Sequence, residues 1–96
     1  MSGPTTEVLV PTVDRATLDK IDSLLSACAD QITRTRKGRV WDLQMQGRPI
    51  HVMVAESPPA IEISAGCNGS EDYAVLLTLS SRLASALGGL ASTPTK

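Results

Sequence analysis

Arg39-Val40-Trp41-Asp42-Leu43-Gln44-Met45-Gln46-Gly47-Arg48-Pro49-Ile50-His51-Val52-Met53-Val54-Ala55-Glu56 is the stretch that decides the fold. On either side of Gly47-Arg48, apolar and polar residues alternate with period two, the pattern of half-buried strands joined by a tight turn. With Gly47 and Arg48 as a two-residue loop, Met45 faces Ile50, Leu43 faces Val52 and Trp41 faces Val54, while Arg39 meets Glu56 at the open end. The apolar pairs share one side. The other side carries Val40, Asp42, Gln44 and Gln46 against Ala55, Met53, His51 and Pro49, so the sheet has a dry face and a wet one.

Beyond the hairpin, Ser57-Pro58-Pro59 interrupts the ladder and Ala60-Ile61-Glu62-Ile63-Ser64-Ala65 alternates again. A third strand is expected, with Ile61 beside Val54 and Ile63 beside Val52. Upstream, Leu18, Ile21, Leu25, Cys28 and Ile32 recur at helical spacing, with Leu24 and Ala29 widening the stripe. Asp14 is the expected N-cap, and Val13 and Leu18 clamp the entry of the chain. Arg34, Arg36, Lys37 and then Gly38 read as the helix end. Downstream, Gly66-Cys67-Asn68-Gly69 connects to a second helix that Ser70 caps, with Glu71 and Asp72 in its first turn. Its apolar stripe is Tyr73, Leu76, Leu79, Leu83, Leu87 and Leu90, and Gly88-Gly89 closes it.

These elements predict an α+β fold, a two-layer sandwich in the order helix, strand, strand, strand, helix. The three-stranded antiparallel meander holds both helices on its dry face. Glu7 to Val10 is a possible short edge strand that Pro11 ends. The 96 residues form one domain, 1–96, with mobile tails expected over about 1–6 and 92–96. An apolar content of 42%, a charged content of 20% and the lack of any Phe leave an aliphatic core around the single Trp.

A net charge of −1 argues against a surface that attracts nucleic acid or anionic lipid as a whole. The N-terminus has no basic stretch followed by an apolar run, so a cytoplasmic location is expected. Tyr73 to Ala91 is interrupted by Arg82 and several hydroxyls and does not read as a membrane span. Cys28 and Cys67 are expected as reduced thiols.

Four of the nine basic residues, Arg34, Arg36, Lys37 and Arg39, fall within six positions, a candidate anion patch that Arg48 extends. The element order matches that of double-stranded-RNA-binding domains. The second helix, however, opens on Ser70-Glu71-Asp72 and carries Arg82 as its one basic residue, so nucleic acid is not the expected partner. His51 has Gln44 and Ser64 as expected neighbours and Asp42 and Glu62 diagonal to it, a set that invites a hydrolase or metal reading. An open sheet face supplies neither converging backbone donors nor a wall against water, and one histidine with two carboxylates is an unspecific ligand set. No metal site or cofactor is expected. Cys67, just before a helix N-terminus, is a candidate reactive thiol without a partner cysteine.

The expectation that remains is a small non-catalytic protein-protein interaction module of an accessory, chaperone-like or inhibitor kind. Gln44, His51, Met53, Glu62 and Ser64 on the wet face are its candidate binding residues. A second surface is the uncharged back of the second helix, Ala74, Thr78, Ser81 and Ser85, which suits a homodimer. Anion or nucleic-acid binding through the basic cluster is the alternative, and a small enzyme or redox protein using Cys67 or His51 is the third option.

Overall fold

The computed structural model describes residues 3–94 as an α+β fold in which a six-stranded antiparallel sheet is backed by two helices. The strands are β1 (Thr5–Leu9), β2 (Gln31–Thr35), β3 (Val40–Met45), β4 (Arg48–Glu56), β5 (Pro59–Ala65) and β6 (Leu90–Ala91). The helices are α1 (Arg15–Cys28) and α2 (Ser70–Leu87). Across the sheet the order is β2-β3-β4-β5-β1-β6. The expected meander is β3-β4-β5, flanked by strands on both sides.

At the centre of the sheet the apolar face is the one expected. Trp41, Leu43, Ile50, Val52, Ile61 and Ile63 are at most 2% exposed and form a single core with Ile21 and Leu25 of α1 and Leu76, Leu79 and Leu83 of α2. Both helices therefore cover the same side. The turn is displaced by one residue, with Gln46 and Gly47 as the loop at φ 55° and 75°. Leu43 consequently pairs with Ile50 and Trp41 with Val52, a two-residue shift of register from the expected pairing. Because side chains alternate with period two, that shift leaves every residue on its face. Arg39 still reaches Glu56, at 2.9 Å, and β5 pairs as expected, Ile61 with Val54 and Ile63 with Val52.

The largest correction concerns the first helix. Asp14 caps it as expected, its Oδ1 accepting from the Thr17 N–H at 2.9 Å. The helix stops at Cys28, however, and Gln31–Thr35 becomes β2. Ala29 is already extended (φ −88°, ψ 144°), and the Asp30 N–H donates to the Gln44 carbonyl at 2.8 Å, starting the ladder with β3. Ile32, Thr33 and Thr35 are β-branched, and in a strand they gain packing that a helix denies them. Arg34, Arg36 and Lys37 thus do not offset a helix dipole. They lie on an edge strand and on the tight turn Arg36–Gly38 that follows it.

Residues 3–6 and 92, within the expected tails, are paired. The Gly3 N–H donates to Ala65, Thr5 and Thr6 belong to β1, and the Ser92 N–H donates to Glu7 at 2.9 Å. Residues 1, 2, 95 and 96 lie outside the described residues. β1 is an interior strand between β5 and β6, not an edge. Gly89 makes the last junction possible, since a Cβ there would stand 2.3 Å from the Leu9 carbonyl oxygen. Leu90 enters β6 and is 75% exposed, while Tyr73 and Leu87 are half-buried and Val75, Ser80 and Asp72 take the buried positions on α2. Gly69, not Ser70, precedes the first turn, and its N–H donates to the Asp72 carboxylate at 3.0 Å. Among the described residues no helix is long and apolar enough to cross a membrane.

Candidate functional site

With both helices on one side, the other side of the sheet is uncovered, and the strand register sets out its side chains in rows. One row runs Gln31, Gln44, Pro49. The next runs Thr33, Asp42, His51, Ser64, Thr5, and the third Thr35, Val40, Met53, Glu62, Glu7. All are exposed or half-buried except Val40. The five residues singled out from the sequence therefore share one face: His51 lies opposite Ser64, Met53 opposite Glu62, and Gln44 one row away. Gln31, Thr33, Thr5 and Glu7 belong to the same surface and are missed by the sequence reading. The signal for them is alternation in Gln31-Ile32-Thr33-Arg34-Thr35, masked by the coincidence of Ile32 with the helical stripe.

Three open depressions, of about 550, 410 and 650 Å³, meet at His51. The first lies toward Gln31 and Gln44, the second toward Glu7 and Ser92, and the third toward Arg36, Lys37 and Met53. Asp42 is opposite His51 in register, not diagonal to it, and its Oδ1 is 2.8 Å from His51 Nδ1. Ser64 flanks His51 on the other side, so an acid, an imidazole and a hydroxyl lie in line. Strand amides point within the sheet plane and are used by the ladders, so among the described residues the strands bring no converging pair of N–H groups above Ser64 to hold an oxyanion. His51 and Asp42 are also well solvated, with side chains 44% and 60% exposed. Among the described residues no group of three or more His, Cys, Asp or Glu could hold a metal ion.

The basic cluster divides into paired and unpaired members. Arg34 donates to Asp22 and to Ser26 on α1, and Arg39 pairs with Glu56. Asp22 also accepts from Trp41 Nε1 at 3.0 Å; the Arg34 hydrogen bond, with the Trp41 bond and the Arg34 charge behind it, outweighs partial burial and holds the carboxyl below the usual carboxylate range. Arg48 bridges Asp72 at 2.9 Å and Glu71 at 2.6 Å, fastening the β3–β4 turn to the start of α2. Asp72 is fully buried, and its second oxygen has no partner among the described residues. Arg36 and Lys37 make no ion pair among the described residues. Both have positive φ, 51° and 58°, which lifts them onto an exposed crest at the end of the β2–β3 hairpin.

The back of α2 is solvent-facing: Ala74, Thr78, Ser81 and Ser85 are exposed, joined by Leu77 at 52%. Cys67 is exposed and free, and Cys28 accepts a contact from Arg82 at 3.3 Å. Compared with protein-family models, curated proteins and solved structures, the chain finds no significant match, so its function is argued from its own residues.

Proposed function

We propose that this chain is a small non-catalytic protein-binding module and that the uncovered sheet face is its principal contact surface. The observation that carries this reading is the meeting of three depressions at His51, on a face where exposed Met53 sits among polar side chains. Methionine adapts its shape to a partner, and Glu62 opposite it, with Ser64 and Gln44 in the following rows, supplies directional hydrogen bonds. The back of α2 is a secondary surface in this reading. Capture from the native lysate tests it. Proteins retained by the wild-type chain should be lost with Met53→Arg and kept with Arg82→Glu on the helical side. Equal retention by both variants sinks the reading.

The anion-binding alternative draws on Arg36 and Lys37, since Arg34 and Arg39 already have carboxylate partners. Retention on a polyanion matrix that falls steeply with salt and disappears in Lys37→Glu would favour it over protein binding.

A further inference from the structure

The charges on the uncovered face are unevenly placed with respect to β4. On one side stand Asp42, already paired with His51, and, at the end of the β2–β3 hairpin, Arg36 and Lys37, which border Met53, Lys37 also bordering Asp19 and Asp22 of α1 on the helical side of the sheet. On the other, Glu7 of β1 and Glu62 of β5 lie directly opposite each other. The Glu7 N–H and C=O are both directed away from β5, to Ser92. Glu7 and Glu62 are thus a non-hydrogen-bonded pair, the kind in which side chains approach most closely. Like charges in that position destabilise a sheet. No ion pair among the described residues relieves either carboxylate, and none engages Arg36 or Lys37.

We infer that the uncovered face binds a second copy of this chain, turned over about a two-fold axis running along β4, so that Arg36 and Lys37 of each copy meet Glu7 and Glu62 of the other. This rests on the reading of that face as the contact surface and names its occupant. The strand order makes the match. β3 and β2 are the first and second neighbours of β4 on one side, and β5 and β1 are the first and second on the other. Rotation about β4 therefore lays β3 over β5 and β2 over β1 of the mate. In the row of Met53, Thr35 and Val40 lie over Glu7 and Glu62 of the mate, Arg36 and Lys37 follow directly from Thr35, and Met53 faces its own counterpart. Such an interface is isologous and closes at two copies.

Its size is adequate. The five overlapping strands β2, β3, β4, β5 and β1 hold 5, 6, 9, 7 and 5 residues, which at about 3.3 Å per residue and about 4.8 Å between strands give roughly 500 Å² per copy and about 1,000 Å² in all, the size of a small, reversible interface. The back of α2 offers no comparable match, because from Tyr73 to Leu87 Arg82 is its only charge.

Sedimentation velocity on the full chain and two charge-reversal variants, Arg36→Glu/Lys37→Glu and Glu7→Lys/Glu62→Lys, tests the inference, with circular dichroism confirming that each variant folds. Wild-type chain should dimerise, and the dimer should weaken as salt rises. Each variant alone should lose affinity by roughly tenfold or more, since every cross-copy contact becomes repulsive. Mixing the two should restore association, because both contacts are then attractive again. Wild-type chain that stays monomeric, variants that remain apart when mixed, or a dimer lost in Ser85→Arg but kept in the charge reversals each overturns the inference. The binding reading itself is decided separately, by whether Met53→Arg releases captured proteins.

Discussion

Asp22 shows how much one side chain does here. From α1 it accepts from Trp41 on β3 and from Arg34 on β2, so one carboxylate fixes the helix over the edge of the sheet. The Arg34 hydrogen bond depresses its pKa in the folded state, and the Thr17 N–H and hydroxyl do the same to Asp14 at the helix start. A depressed carboxylate contributes stability that is present above its unfolded value, near 3.9, and is lost as pH falls through the folded value. Unfolding free energy should therefore decline on acidification below about pH 4. Asp22→Asn keeps an acceptor for Trp41 but lacks the charge, so it should be less stable at neutral pH and show a shallower acid decline in urea titrations. An acid limb identical to wild type would remove Asp22 from the account. Leu43 lies in the core at 2% exposure, and Leu43→Ala should cost about 2 to 5 kcal/mol by urea unfolding. That is a large part of the ~5 to 15 kcal/mol of a typical domain.

Among the elements, the β3–β4 turn is the most informative. Positive φ at both Gln46 and Gly47 makes it a type I′ turn, which favours Asn at the first position and Gly at the second. Gln46→Asn should raise the thermal midpoint, and Gly47→Ala should lower stability by about 1 kcal/mol, since a Cβ is disfavoured there. The opposite signs would place the turn elsewhere. The same turn marks what the sequence discloses. The dry and wet faces of the hairpin are legible from Trp41-Asp42-Leu43-Gln44-Met45 because a two-residue slip does not exchange faces. The turn position is not legible, because Gly47 can serve as either loop residue and Gln46 is an uncommon occupant of left-handed backbone. β2 is hidden because Ile32 satisfies both the helical and the strand period, and Arg34, Arg36, Lys37 and Gly38 imitate a helix end. β6 has two residues and therefore no period to read. The candidate contact residues on β3, β4 and β5 follow from alternation alone, whereas Glu7 joins Glu62 only once β1 is known to be an interior strand.

At the scale of the whole molecule, the fold spends both helices on one side of a six-stranded sheet and leaves the other side to water. That side has its own organisation: unpaired cations toward one edge, an opposed carboxylate pair toward the other, and Met53 and His51 between them. This face, in the reading proposed above, meets other protein, beginning with its own copy. Following backbone amide shifts by NMR from micromolar to millimolar chain tests this most directly, because it reads the surface that self-association touches. Amides of His51, Met53, Glu62 and the Arg36–Gly38 turn should move with concentration while those of Ser81 and Ser85 stay still. Shifts confined to α2, or none at all, would contradict it.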